Sequence, residues 1–552
     1  MKSTWPFLVG LLLFAALPAV QAQLDYTTNA DSVTITGYSG PGPIGILIIP
    51  SNIDSLPVTG IGANAFSNLD TLTKVTIPAS VTNIGIAAFE NCSGLTDVTI
   101  AMGVANIQSN AFEDCYNLAS VTIPGSVASI GVGAFEDCAG LANLTIAMGV
   151  TSIESNAFEN CYSLAEVNIP GSVTNIGEQA FYYGLSLTSF AIPSGVASIG
   201  AAAFAFCSSL SEVTIPASVT NIGEQAFDYC SSLPSITIPG NVTSIGPYTF
   251  YECAGLTSVT IPDSVTNIGV GAFEQCYALP GVTLPSGVVS IGVNAFSDCT
   301  SLTAITIPAS VTSIGNTAFN DCVSLTEINV PAQNLFYSSA DGVLFDKNQT
   351  TLIECPGGLA GGYTIPGGVT SIAEDAFQNC PGLTNITIPD SVTNIGQGAF
   401  VGCASLTAIT IPASVLSIGD SAFTQTQLTN FYFAGNAPAA DSSVFDSANN
   451  PSVYYLPGTT GWSGFSANTG LSTVLWNPVI QTGDSGFGVR GNQFGFNITG
   501  PPNLAVVVEA CSNLAGPVWT PLLTVTLTNG LFHFSEPVQT NAFSRFYGLG
   551  FP

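Results

Sequence analysis

Basic residues are almost absent from this sequence. Its 552 residues include 5 Lys and Arg together and one histidine, His533, against 35 Asp and Glu, so the formal net charge is -30. Nucleic-acid binding through phosphate neutralisation requires clustered Lys and Arg and is ruled out, and binding to anionic lipid surfaces is disfavoured for the same reason. A single histidine disfavours Ser-His-Asp, Cys-His and multi-histidine metal sites. We expect a protein that is not an enzyme, with no catalytic residue, no cofactor and no dedicated metal site.

Long hydrophobic runs are also missing, apart from one at the N-terminus. Residues 1–22 contain Lys2, an apolar run over residues 7–17, and the small residues Val20 and Ala22. This pattern predicts a secretory signal peptide cleaved after Ala22, with an uncleaved N-terminal anchor as the alternative. Because no later segment reaches the roughly 18 apolar residues of a membrane helix, we expect no transmembrane helix in the mature chain. The predicted location is secreted, extracellular or at the cell surface.

The main feature that is present is a repeat of 23 residues, marked by a phenylalanine that usually follows an alanine. A unit this short cannot bury its own apolar side, so the units must stack into a continuous core. The interval from Phe319 to Phe377 is 58 residues, or two repeats and 12 more, so one repeat carries an insertion at about residues 331–362, as a hairpin or a tolerated loop. The marker residues are Phe66, Phe89, Phe112, Phe135, Phe158, Phe181, Phe204, Phe227, Phe250, Phe273, Phe296, Phe319, Phe377, Phe400 and Phe423.

Each repeat contains one segment with the periodicity of a strand. Val98 and Ile100 alternate with polar residues, which is the pattern of a half-buried strand. A proline often follows, as at Pro124, and ends the strand because it cannot donate a hydrogen bond to the ladder. A glycine after the next isoleucine, as at Gly131, permits a tight turn. The sequence therefore predicts one short strand and one turn region in every coil.

The spacing Leu-x-x-Val-x-Ile, followed by Ile-Gly-x-x-Ala-Phe-x-x-Cys, resembles the BspA-like subclass of leucine-rich repeats over roughly residues 24–478. Departures are local, such as Gly184 in the cysteine position. The resemblance implies a mostly β leucine-rich-repeat solenoid of about 16 to 17 coils, with short turns or helical turns on its convex side. It also implies a secreted or surface-exposed protein that binds other macromolecules and is not an enzyme.

The segments around the repeats complete a predicted division into four regions. After the signal peptide at 1–22, residues 23–58 are expected to form an N-terminal β cap over the first open coil. Residues 59–478 would form the solenoid with its closing cap. Residues 479–552 contain strand-like runs between Gly, Pro and Asn turns, which predicts a small C-terminal β-sandwich-like module. Its role would be docking, sorting or capping.

One outward position of the predicted strand differs from coil to coil while its neighbours are copied. Concave surfaces of leucine-rich repeats bind partners with such positions, so the resemblance implies a binding surface here for an extracellular protein or glycan. The alternative is drift on a solvated face. A neighbouring threonine column, which includes Thr122, is explained by β propensity and cross-strand pairing. The alternative is a regular hydroxyl array that recognises an ordered surface such as ice or a polysaccharide. The candidate binding residues are Asp97, Glu166, Glu212 and Glu327.

Cysteines occupy one apolar slot of nearly every repeat. An exported chain with 14 cysteines usually forms disulfides, and stacking would bring neighbouring Cα atoms within disulfide range. The single repeated slot instead favours a column of free, buried thiols. No C-x-x-C pair is present to begin a zinc site.

Carboxylates recur one or two residues after the marker phenylalanine, on the turn. We expect a solvated edge that keeps the protein soluble and monomeric, in which like charges raise one another's pKa values. Weak Ca²⁺ association is the alternative, although no dedicated calcium loop is present. These residues include Glu90, Glu113, Asp114, Glu136, Asp137, Glu159, Asp228, Glu252, Glu274, Asp298 and Asp321.

Two functions remain compatible with these features. The first is protein or glycan binding, or adhesion, by a secreted or cell-surface leucine-rich-repeat protein through its concave sheet. The second is a structural, cation-associated component of an extracellular matrix or envelope, without a specific ligand.

Overall fold

The structure is a computed structural model that describes residues 23–40, 44–446, 451–500, 504–538 and 544–550. The predicted signal peptide lies outside the described residues. Two compact units divide the chain, one ending at Cys322 and the other beginning at Val323. Both consist mainly of short strands, and the first unit holds most of the uninterrupted 23-residue repeats.

The first sheet of the N-terminal unit is formed by the strand that the sequence predicts. Val98 and Ile100 point into the core, and strands of successive coils pair in parallel with residues 23 apart opposite each other, as Ser120 is opposite Asn143. We call the outward side chains of this sheet the strand face. Its strands are Ile46–Ile48, Lys74–Ile77, Asp97–Ile100, Ser120–Ile123, Asn143–Ile146, Glu166–Asn168, Ser189–Ala191, Glu212–Thr214, Ser235–Thr237, Ser258–Thr260 and Ala304–Thr306.

A second sheet, which the sequence pattern does not predict, consists of parallel two-residue strands after its longer N-terminal strands. Each has an outward Asn or Ser and an inward isoleucine, which is buried in all of them except at Ile314. The outward side chains bond from coil to coil, as Asn175 Nδ2 donates to Ser152 Oγ at 3.2 Å. Such a polar ladder ties neighbouring coils together. The ladder is interrupted once, between Asn221–Ile222 and Ser244–Ile245. The strands are Asn83–Ile84, Asn106–Ile107, Ser129–Ile130, Ser152–Ile153, Asn175–Ile176, Ser198–Ile199, Asn221–Ile222, Ser244–Ile245, Asn267–Ile268, Ser290–Ile291 and Ser313–Ile314.

The N-terminal strands extend both sheets at the start of the array. Leu24–Thr28 pairs antiparallel with Val33–Tyr38, which pairs in parallel with Leu56–Ile61 and so leads into the second sheet. Ile46–Ile48 pairs with Lys74–Ile77 at the edge of the first sheet. The strand edges of the first coil are therefore covered, as an open solenoid end requires.

Turns, and not helices, carry the marker phenylalanines within residues 44–322. Each turn uses left-handed backbone, with φ of 60° at Asn156 and 57° at Asn160 around Phe158. The turns are also linked between coils, since Phe158 N donates to Ala180 O at 3.0 Å. Of the two alternatives left by the sequence, short turns are correct. We call the residues one and two positions after each marker phenylalanine the turn edge.

The phenylalanines form a buried stack under the turn edge. From Phe66 to Phe319, rings of neighbouring coils lie nearly parallel with centroids 5.1–5.8 Å apart. Gly131 lies where successive coils come closest, because a Cβ there would be 2.6 Å from the backbone carbon of Gln108. The aromatic ring therefore recurs in every coil of this stretch, whereas the glycine position is taken by Gln108 and Glu154 in two of its coils.

All 14 cysteines are free and buried. Most thiols of the repeated slot donate to the phenylalanine carbonyl of the preceding coil, as Cys92 Sγ does to Phe66 O at 3.1 Å and Cys138 Sγ to Phe112 O at 3.2 Å. After the insertion, Cys380 Sγ instead lies 3.8 Å from Pro356 O. Burial raises the pKa of Cys92 to about 12. The slot therefore suits a small apolar side chain with one weak donor, which is what a free cysteine provides.

The first sheet is interrupted at two coils of this unit. The residue before its strand normally donates its N–H to the preceding coil, as Thr96 N does to Thr73 O at 2.9 Å. Pro234 and Pro280 occupy this position and have no N–H. The ladder breaks between Glu212–Thr214 and Ser235–Thr237, and residues 281–284 form no strand.

The second unit continues the same coil architecture after an insertion. Tyr337–Ala340 and Val343–Asp346 form an antiparallel hairpin whose turn, Asp341 and Gly342, has positive φ at both residues. The hairpin form of the insertion is thus the one observed. The remaining strands of the array are Glu327–Asn329, Thr351–Glu354, Gly361–Thr364, Ser371–Ile372, Leu383–Thr387, Asn394–Ile395, Ala408–Ile411, Ser417–Ile418, Asn430–Phe433, Ser452–Tyr455 and Thr473–Leu475, with a 3-10 turn at Ser442–Phe445 and an α-helix at Trp462–Thr469.

The C-terminal residues form two antiparallel sheets, as expected for a small β module. Phe496 and Val506 share a buried cluster with Tyr432, Tyr454 and Trp476, which belong to the last coils. The module therefore packs against the end of the array. Its strands are Val479–Gln481, Gly488–Arg490, Gln493–Thr499, Ala505–Cys511, Thr520–Thr526, Leu531–Pro537 and Phe546–Gly550, with a 3-10 turn at Thr528–Gly530.

Candidate functional site: the strand face and the turn edge

The varied position of the repeat forms one continuous line across the strand face of the first unit. The register pairs each residue with its counterpart one coil away, without a slip, from Lys74 to Glu212. A ligand lying along this face would meet a different side chain at each step of roughly 4.8 Å. The line comprises Lys74, Asp97, Ser120, Asn143, Glu166, Ser189 and Glu212.

Asp97 differs from the other candidates because it has a basic partner. Lys74 Nζ lies 2.6 Å from Asp97 Oδ2, and the two side chains are 44% and 46% exposed. Lys74, one of the few basic residues of the chain, is thus paired with a carboxylate at the N-terminal end of the strand face. A binding partner would therefore meet an Asp97 carboxylate whose charge is already compensated by Lys74.

Glu166 and Glu212 lie two coils apart, with Ser189 between them. Both glutamates are exposed on strands whose middle residue faces inward. The structure brings these two predicted residues onto one surface, separated by a single small hydroxyl side chain. They form the most open pair of carboxylates among the predicted site residues of this unit.

Glu327 belongs to the second unit. It is exposed at the start of the strand Glu327–Asn329, and its Oε2 accepts a hydrogen bond from Asn329 Nδ2 at 3.2 Å. Glu327 begins its strand as the other candidates begin theirs, immediately before the insertion that carries the hairpin.

The threonine column occupies the second outward position of the same strands. Thr99, Thr122 and Thr145 are exposed, and Thr122 is opposite Thr145 in the register. Threonine suits a strand that is buried on one side only. The strand face thus combines a constant hydroxyl line with a varied line beside it.

Carboxylates of the turn edge are more enclosed than those of the strand face. Glu113 accepts a hydrogen bond from Asn110 Nδ2 of its own turn, and burial raises its pKa although this bond opposes the shift. Burial, followed by the charges of Glu159 and Glu113 in the neighbouring coils, raises the pKa of Glu136 to about 7. The expectation that like charges at repeat spacing raise pKa values is met, but burial contributes more than repulsion.

Within the described ranges, no group of three or more His, Cys, Asp or Glu side chains is arranged to hold a metal ion. In the same part of the chain, no helix is both long and apolar enough to cross a membrane.

The stacked coils, with one Leu-x-x-Val-x-Ile strand per 23 residues, define a leucine-rich-repeat solenoid. The family model described as "BspA type Leucine rich repeat region (6 copies)" matches residues 59–186, 174–279, 266–358 and 362–461. The chain belongs to this family. It is a family of repeat scaffolds, and the comparisons contain nothing that points to catalysis.

Solved structures with similarity to the chain include bacterial repeat proteins. A leucine-rich repeat protein from Bacteroides ovatus is 24% identical, with a TM-score of 0.46, over 82% of this chain and 98% of that chain. A leucine-rich cell surface protein from Faecalibacterium prausnitzii is 25% identical, with a TM-score of 0.26, over 82% of this chain and 97% of that chain. Among curated proteins, no significant match was found.

Proposed function

We propose that this chain is an exported, surface-associated leucine-rich-repeat protein that binds an extracellular protein or glycan through its strand face. The observation that carries the proposal is the varied line from Lys74 to Glu212, which is held in one unbroken register on an exposed sheet. Its neighbours in the strand remain nearly constant, so side-chain variation is concentrated where a partner would touch. Family membership supports a repeat scaffold at a cell surface.

The open glutamate pair makes part of this surface negative, since Glu166 and Glu212 have only Ser189 between them. A partner with basic side chains would gain from the pair, and its association would slow as salt increases. A glycan partner would instead use the hydroxyl and amide groups of Ser120, Asn143 and Ser189.

The test is a binding comparison on the full exported chain. Glu166→Gln combined with Glu212→Gln should weaken binding to a panel of extracellular glycoproteins and polysaccharides by about tenfold. The matched control is Glu113→Gln combined with Glu159→Gln, which removes the same charge from the turn edge. Equal binding by both variants and the unaltered chain would contradict a role for the strand face. Glu327→Gln tests the candidate of the second unit separately.

A structural, cation-associated role is the second candidate, and the succession of Glu113, Glu136 and Glu159 in neighbouring coils favours it, because carboxylates that interact with one another attract cations. In this role, millimolar Ca²⁺ would raise the melting temperature of the chain and Mg²⁺ would do so less. An unchanged melting temperature across a calcium titration would remove this candidate while leaving the binding role in place.

A further inference from the structure

A cavity of about 410 Å³ opens on the turn edge of the first unit, away from the strand face. Its lining residues come from four successive coils of the array. Three aromatic rings and several carboxylate and amide groups line it. The lining residues are Gln225, Asp228, Tyr229, Tyr248, Tyr251, Glu274 and Asn294.

Asp228 is the unusual member of this lining. The residue is 6% exposed, and its Oδ1 atom has no hydrogen-bond partner. Other turns satisfy the corresponding carboxylate, as Asn110 Nδ2 does for Glu113. Burying an ionised carboxylate oxygen without a partner is costly, so this position requires either a proton or a cation.

The rings have fixed and different orientations around the opening. Tyr229 stacks on Phe206 with centroids 4.5 Å apart, which covers one face of its ring. Tyr251 is tilted by 55° from Tyr229, and Tyr248 stands at 78° to Tyr251. The three phenol groups therefore form a corner with both ring faces and ring edges, where a compact cation can lie against more than one ring.

The coil that follows Tyr248 has a glycine, Gly271, where a side chain would meet the Tyr248 ring. Gly271 has φ of 57°, and a Cβ at this position would be 2.4 Å from Tyr248 Cε1 and 2.8 Å from Glu274 Oε2. The same position varies among the turns, with asparagine at Asn110 and Asn156 and another glycine at Gly133. A tyrosine in one coil and a glycine in the next thus fit together at the cavity, because any side chain at Gly271 would meet the Tyr248 ring.

We infer that this cavity binds an alkylammonium group, with the ammonium charge opposite Asp228 and its carbon substituents against Tyr229, Tyr248 and Tyr251. Aromatic rings and a carboxylate together favour organic cations, because the rings attract charge while they also shed water from alkyl groups. A bare metal ion would need several converging oxygen or nitrogen ligands, and the described residues hold no such cluster. The group could come from a free quaternary amine or from a lysine side chain.

The experiment is a fluorescence and NMR titration of the full exported chain at about pH 8. Two probes are used: tetramethylammonium represents the free amine, and N-acetyl-lysine amide represents the side chain. We expect saturable quenching of tyrosine fluorescence by at least one probe, and about tenfold weaker binding after Asp228→Asn or Tyr248→Ala. Which probe binds more tightly identifies the source of the ammonium group.

Two controls make the result specific. Glu136→Gln removes a carboxylate at the same repeat position as Asp228, four to five coils away from these tyrosines, and should leave the affinity unchanged. Uncharged tert-butanol should not bind. Binding that is equal in the Asp228→Asn chain, or equal for tert-butanol, would overturn the proposal, as would the absence of saturable binding by both probes. Thermal melting of each variant verifies that it is folded.

Discussion

The strand face and the turn edge of the first unit carry their carboxylates in two different ways. On the strand face, Glu166 and Glu212 are exposed and separated by a serine. On the turn edge, Glu113, Glu136 and Glu159 succeed one another coil after coil and are partly enclosed. The same repeat therefore produces one surface that water covers freely and another where burial opposes charge.

The difference follows from what lies under each surface. A strand directs alternate side chains straight out of the sheet, so an outward glutamate meets only water. A tight turn with left-handed residues folds its side chains back over its own backbone, as Asn110 and Glu113 show. Acidic composition alone thus says little about how a charge behaves, because the local backbone decides its solvation.

Removing a ring beneath the turn edge should have the largest effect. Phe135 is fully buried between Phe112 and Phe158, so Phe135→Ala should lower the free energy of unfolding by about 3–5 kcal/mol. Val121→Ala, which makes a smaller void beneath the strand face, should cost roughly 2 kcal/mol. Urea unfolding followed by circular dichroism measures both. If Val121→Ala lowers the free energy of unfolding more than Phe135→Ala does, packing beneath the turn edge does not contribute more stability than packing beneath the strand face.

A methyl group at the closest approach of two coils should come next. Gly131→Ala places a Cβ against backbone atoms at 2.6–2.8 Å and should cost about 1–3 kcal/mol, or more if the coils cannot separate. Gly171→Ala is the matched control, since a Cβ there has nothing within 4 Å, and it should change stability by less than about 1 kcal/mol. Melting temperatures of the two variants distinguish the steric clash at residue 131 from the general effect of replacing glycine by alanine. Similar decreases in melting temperature would contradict the close approach of the coils at Gly131.

Stability should depend on pH through the turn edge. The pKa of Glu136 is raised from 4.5 to about 7, so the fold favours its protonated form. The resulting stabilisation is complete below the unfolded pKa and is lost as the pH rises through about 7. Melting temperature should therefore fall between about pH 5 and pH 8, and Glu136→Gln should reduce this fall by on the order of 2 °C. Ser189→Ala, on the strand face, should leave the slope unchanged; a slope equally steep in the Glu136→Gln chain would count against the assignment.

The smallest effect is expected from the exposed ion pair of the strand face. Lys74 and Asp97 are about half exposed, so their coupling should be about 0.2–1 kcal/mol. A double-mutant cycle with Lys74→Ala and Asp97→Ala measures it, and high salt should reduce it. A coupling energy well above this range would mean that water has less access to the strand face than the exposure of Lys74 and Asp97 indicates.

The sequence predicts the parts of the fold that recur with a clear period. The phenylalanine stack and the strand with Val98 and Ile100 follow from spacing alone. The two-residue strands, such as Asn106–Ile107, could not be predicted in this way because two residues show no alternation. The breaks at Pro234 and Pro280 were readable in principle, since each proline stands where the repeat needs a donor.

The candidate surfaces were predictable to different degrees. Placement of Glu166 and Glu212 on one exposed strand surface follows from the repeat, whereas the pairing of Asp97 with Lys74 depends on side-chain reach. The cavity at Asp228 was not apparent, because its tyrosines come from different positions of successive coils. Only the fold shows that Tyr248 and Gly271 are complementary.

Contacts between neighbouring coils have a mechanical consequence. Phe135 N donates to Ala157 O of the next coil at 3.0 Å, and the strand ladders run in the same direction. A pull on one end of the array would load the outermost coil first and peel it away before its neighbour is disturbed. Each detached coil would release 23 residues, or roughly 80 Å of extended chain. An array held at both ends would then lengthen in steps, and each step would dissipate part of the applied load.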